Sequence, residues 1–135
     1  MKSTKNFISI GLILYIMIFA CGCGKTEPVQ ASLSIQETEW SEQGSSTYDP
    51  IIFSLLQKGD VVYDDHFTKI TVKSVNESRI VLVVEGGMVE PNDDGTIDLD
   101  AEPIEKLELD RGQSVELVST SMSAGFNLVI SYEQK

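Results

Sequence analysis

The chain has one histidine, His66, one tryptophan, Trp40, and two cysteines, Cys21 and Cys23. A single histidine excludes any metal site built on two imidazoles. Both cysteines fall within the first 23 residues, so the region beyond them has no internal disulfide and no thiolate-bound metal. Basic residues are scarce too: 10 Lys+Arg against 21 Asp+Glu leave a formal charge of −11 over 135 residues. Nucleic acid is held through clustered Lys and Arg, so this balance excludes it as a partner. The same balance argues against electrostatic docking on anionic lipid. The sequence has no GxSxG, HExxH or P-loop. A Ser-His-Asp triad would have to be built on His66, and Asp64-Asp65-His66 reads more simply as a solvated turn between strands. Sugar cleavage by paired carboxylates needs a cleft with aromatic walls. The aromatic residues available, Phe53, Tyr63, Phe67, Phe126 and Tyr132, mostly occupy strand positions that belong to a core. The expectation is a protein that is not an enzyme.

The N-terminus holds the clearest signal. Lys2 and Lys5 precede an uncharged stretch from Asn6 to Gly24, within which Phe7 to Ala20 is an apolar run. A basic start, an apolar run of this length and small residues after it describe an export signal. At its end, Ile18-Phe19-Ala20-Cys21 has an aliphatic residue three before the cysteine and a small one just before it. This tetrad resembles the lipobox of bacterial lipoproteins. The resemblance implies removal of residues 1–20 as a signal peptide and a diacylglyceryl or fatty acyl group on the Cys21 sulfur. It implies attachment to the extracytoplasmic face of a bacterial membrane, in the cell envelope. Cys23, after Gly22, is the rival lipidation site. An uncleaved transmembrane anchor and an ordinary secretory signal are the competing readings of the run. Without residues 1–20 the chain keeps 8 Lys+Arg against all 21 acids, so it is more acidic still.

Residues 21–49 read as a lipidated N-terminus followed by a flexible tether. From Lys25 to Asp49 the chain is rich in Gln, Glu, Ser, Thr and Gly, with few apolar residues to offset the entropy of ordering. Leu33 and Ile35 alternate with polar neighbours, which allows an added edge strand. Trp40 is either an anchor for a partner or a side chain folded back on the domain.

Beyond Pro50 the composition changes. Residues 51–133 contain 18 Val or Ile and two Ala, a bias that favours strands over helices. Strands are expected at 51–57, 61–63, 67–75, 80–84, 104–109, 115–118 and 126–133, with a helix as the alternative for 51–57. Phe126, Leu128, Ile130 and Tyr132 alternate against Asn127, Val129, Ser131 and Glu133, which places the first set on a buried face. Ile80 to Val84 is continuously apolar, the pattern of a central strand covered on both faces. Residues 50–135 are therefore expected to form a small antiparallel β-sandwich, Ig-like in layout, with a small β-barrel as the alternative.

The segment 85–110 holds ten acids and one base, Lys106. Within it, Glu90, Asn92, Asp94, the Thr96 carbonyl and Asp98 fall at the oxygen positions of an EF-hand-like calcium loop, with Gly95 at its turn. Glu rather than Asp comes first, Pro91 follows it, and Ala101 stands where the bidentate Glu belongs. A plain acidic hairpin loop turning at Asp94-Gly95 is the simpler expectation. Asn76-Glu77-Ser78 fits a glycosylation sequon that a bacterial source leaves without meaning. The reading that follows is a lipid-anchored, non-catalytic binding or accessory module that contacts another envelope or extracellular protein. The alternatives are an extracytoplasmic ligand or cation binder using the acidic loop, and, last, an enzyme.

Overall fold

A computed structural model describes residues 27–133; the export-signal stretch, Cys21 and Cys23 lie outside them. Nine strands occur among the described residues: β1 (Val29–Ser41), β2 (Gly44–Thr47), β3 (Ile51–Leu56), β4 (Val61–Asp65), β5 (Thr68–Val75), β6 (Arg79–Glu85), β7 (Lys106–Asp110), β8 (Gln113–Val118) and β9 (Ala124–Glu133). They form two antiparallel sheets. One runs β2-β1-β9-β8, with β3 also paired to β1, and the other is the meander β4-β5-β6-β7. Neither closes on itself, so the architecture is the expected sandwich and not a barrel.

Alternation builds the core. On β9, Phe126, Leu128, Ile130 and Tyr132 are buried and the residues between them are not. Opposite them, Ile80, Leu82 and Val84 of β6 and Ile70 and Val72 of β5 supply the facing layer. Residues two apart on a strand share a face, and here each shared face removes its side chains from water. Tyr132 is fully buried, and its hydroxyl donates to the Asn76 carbonyl at 2.6 Å, joining the last strand to the turn before β6.

Three expectations are corrected. The segment assigned to a tether contains the longest strand of the fold. In β1, Ala31, Leu33 and Ile35 are buried, and the strand pairs with β9 along ten residues, from Ser32 to Ser41. Summed over the segment the composition is polar, but those three apolar residues all fall on one face, and a half-buried strand needs no more. It is not an edge strand, because β2 and β3 pair with its other side. The apolar run in β6 is covered on one face only. Val81 and Val83 are half-buried on the outer face, between Ser74 and Glu108 and between Thr71 and Lys106 respectively. Residues 51–57 hold the expected strand, β3, and not the alternative helix.

Candidate functional site

At one end of the sandwich the inner face of β1 changes chemistry. Past Ile35 the same stripe continues as Glu37 and Glu39, opposite Leu128 and Phe126 on β9. The β4–β5 hairpin brings His66 to them. Its two turn residues, His66 and Phe67, lie in the left-handed region at φ 50° and 63°, the geometry of the tight turns favoured by Gly and Asn. Gly86 lets the next strand approach this turn: a Cβ there would stand 2.6 Å from both the Phe67 carbonyl oxygen and the Thr68 hydroxyl. The turn leaves the Phe67 ring fully exposed and swings the His66 ring inward.

The resulting cluster is compact. His66 Nε2 lies 2.9 Å from Glu37 Oε1 and 3.2 Å from Glu39 Oε1. The Tyr63 hydroxyl donates to Glu37 Oε2 and the Tyr48 hydroxyl to Glu39 Oε2, each at 2.9 Å. The His66 ring stacks on Phe126 with centroids 4.7 Å apart. Burial disfavours the imidazolium, but the bond to Glu37 and the charges of Asp65, Glu37 and Glu39 outweigh it and hold the His66 pKa above its ordinary value. Burial, and then the bond to Glu37, push the Tyr63 phenol far above its usual range. The Tyr48 phenol is raised by its bond to Glu39 and by that group's charge. Among the described residues no Lys or Arg forms an ion pair with Glu37 or Glu39. Two clefts flank the cluster. One, of about 450 Å³, opens between Glu39, His66, Phe126 and Gly125. The other, of about 400 Å³, opens between Glu37, Tyr48, Ile51 and Tyr63.

His66 does sit in a turn between strands, as expected, but its side chain is tied to β1 and is not simply solvated. Nothing local in the sequence points to this, because His66 and Glu37 are 29 residues apart. One signal was present: the period-two stripe Ala31, Leu33, Ile35 runs on without a break into Glu37 and Glu39. Trp40, on the opposite face of β1, folds back on the domain. Its indole donates to Asn127 Oδ1 at 2.9 Å, and its ring lies over Gly125, where a Cβ would come within 2.7 Å of it.

The calcium-loop candidates occupy the long connection between β6 and β7. Asp94 Oδ1 accepts from the Thr96 amide at 3.0 Å and the Thr96 hydroxyl at 2.6 Å, so this carboxylate caps its own turn and its pKa falls. The Thr96 carbonyl accepts the Asn92 amide, and Asp98 Oδ1 accepts the Asp100 amide. Glu90 and Asp98 do not join Asp94 in a shared ligand group; among the described residues the one gathering of three such ligand atoms is Glu37, Glu39 and His66. In the sequon, Asn76 Oδ1 accepts the Ser78 amide, the Ser78 hydroxyl and the Arg79 amide, a turn that consumes the side-chain oxygen.

Comparison with protein-family models, curated proteins and solved structures finds no match to this chain.

Proposed function

We propose that the chain is a cell-envelope lipoprotein, lipidated at Cys21, whose sandwich is a non-catalytic module docking onto an extended segment of another envelope protein through β3. The observation that carries this reading is the make-up of the sheet edges. The edge strands β4, β7 and β8 carry charges, namely Asp64 and Asp65, Lys106, Glu108 and Asp110, and Glu116. β2 is short and polar. Such features are how sheet edges avoid unwanted pairing. β3 has neither defence. Ile51, Ile52 and Leu55 are more than half exposed along it, and Tyr48, three residues before it, is exposed too. Pro50 and Lys58 lie just outside the strand and leave its six residues free of charge and of proline. An unprotected apolar edge suits an added strand: backbone hydrogen bonds supply affinity and alternate side chains supply selectivity.

The lipobox resemblance supports the anchor. With β1 beginning at Val29, seven residues separate a lipidated Cys21 from the fold. Fully extended, such a span reaches no more than about 25 Å. On this reading the domain is held close to the membrane, with β3 available to a neighbour in the same layer.

The test places a photo-crosslinking amino acid at Ile52, or at Lys73 on the other sheet, in the wild-type and Cys21→Ser chains in intact cells. A discrete adduct with a second protein from Ile52 and none from Lys73, with loss of the Cys21→Ser chain from the membrane fraction, is the expected result. An adduct from Ile52 only with another copy of the chain, or none at all, overturns the docking reading. Unchanged fractionation of Cys21→Ser overturns the anchor.

A further inference from the structure

We infer that Glu37, Glu39 and His66 form a binding site for a first-row divalent metal ion of the zinc class, at the end of the sandwich remote from the N-terminal start of β1. The inference goes beyond the docking reading and does not depend on it.

The donor set comes first. One imidazole nitrogen and two carboxylate oxygens make a mixed N/O set suited to zinc and its neighbours, whereas calcium and magnesium take oxygen alone. The spacing agrees. Ligand atoms around an ion with bonds of about 2.0 Å stand about 3.3 Å apart in a tetrahedron and about 2.9 Å apart in an octahedron. Nε2 of His66 is 2.9 and 3.2 Å from the two Oε1 atoms, and the three ligand atoms all lie within 4.8 Å of one another. Two of the three separations thus already match those between bound ligands, and the remaining pair, the two Oε1 atoms, lies within 4.8 Å.

The surroundings hold these donors in place. Each carboxylate has one oxygen tied to a tyrosine hydroxyl, Tyr63 for Glu37 and Tyr48 for Glu39, and the other turned to the imidazole. Outer hydrogen bonds of this kind orient metal ligands, and removing one lowers affinity by about 10–100-fold in known sites. Stacking on Phe126 fixes the plane of the imidazole. Charge points the same way: two acids on a core-facing stripe, one with a side chain only 18% exposed, have a single imidazole as their cationic partner among the described residues. Three protein ligands leave at least one coordination position open, and the two flanking clefts are each lined by two of the three ligand residues.

The test is a calorimetric titration of the full-length chain with zinc chloride, in a Cys21→Ser/Cys23→Ser background so that no free thiol competes. One equivalent of zinc should bind saturably. His66→Ala and Glu37→Gln should each weaken binding by at least about tenfold, and Tyr63→Phe by about tenfold. Cobalt should give the visible absorption of a nitrogen-containing site in the parent chain and lose it in His66→Ala. Because Glu37→Gln touches a half-buried hydrogen bond, His66→Ala, in an exposed turn, is the variant read if the other fails to fold. Absence of saturable zinc binding, affinity unchanged in His66→Ala, or calcium bound as tightly as zinc would each overturn the inference. So would loss of zinc binding in Asp94→Ala, which would move the ion to the acidic connection.

Discussion

The inner face of β1 contains two regions that differ in everything except their backbone. Ala31, Leu33 and Ile35 are each at most 2% exposed and pack into the common core. Glu37 and Glu39 continue the same stripe at the same spacing, toward the same partner strand, and meet tyrosines, an imidazole and solvent. The period of two fixes which way a side chain points and leaves open whether the place it points to is dry. The first region is there because burial stabilises it. The second gains no such stabilisation: two carboxylates at the mouth of a sandwich repel each other and offer nothing to the core. A stripe that turns from apolar to acidic without changing face thus marks where the fold stops being built and a site begins.

The sharpest way to break this comparison is at the apolar end. Leu33→Ala and Leu128→Ala each remove three buried carbons at fully buried positions on paired strands. Each should cost about 2–5 kcal/mol in denaturant melts, the transfer loss plus the cavity left behind. A loss below about 0.5 kcal/mol for Leu33→Ala would mean that β1 is laid on the sheet and not packed into it.

That outcome also bears on what the sequence could reveal. β9 was legible but for its first two residues, since its four buried apolar residues alternate with Asn127, Val129, Ser131 and Glu133. β5, β7 and β8 were legible for the same reason, with ends shifted by a residue or two. β1 was hidden because its three buried residues lie in a segment dominated by Ser, Glu, Gln and Thr, whose mean composition masks the alternation of Ala31, Leu33 and Ile35. The acidic–imidazole cluster was hidden more deeply. It requires knowing that β1 lies beside the β4–β5 turn, and the packing of one sheet against the other cannot be read from spacing along the chain. The acidic connection 85–110 drew attention by charge density, yet Asp94, Asp98 and the Thr96 carbonyl are each engaged in local turns.

A smaller effect is expected at the turn that carries His66. Phe67 holds φ 63° with its ring fully exposed, a conformation that costs an L-residue about 1–2 kcal/mol and that no packing of the ring offsets. Glycine relieves that strain but brings an unfolded-state entropy of roughly 0.5–1 kcal/mol. Phe67→Gly should therefore stabilise the protein by about 0.5–1 kcal/mol, read as a raised denaturation midpoint at constant slope. Destabilisation by more than about 1 kcal/mol would show that the ring packs against the domain in solution.

The smallest stability effect should come from Glu39→Gln, and that sharpens the contrast with Leu33 six residues earlier on the same face. Glu39 is 43% exposed, so its loss opens no cavity. Glutamine keeps the volume and keeps an oxygen to accept the Tyr48 hydroxyl. The substitution removes a repulsion with Glu37 and also removes an ion-pair partner of His66, and these changes oppose each other. The net change should stay within about 0.5 kcal/mol, the usual range for a surface position away from caps, cavities and buried charge. A loss of 2 kcal/mol or more in the same melts would show that Glu39 is part of what holds the sandwich end together. The acidic half of the stripe would then be structural, and the division between the two regions of β1 would fall.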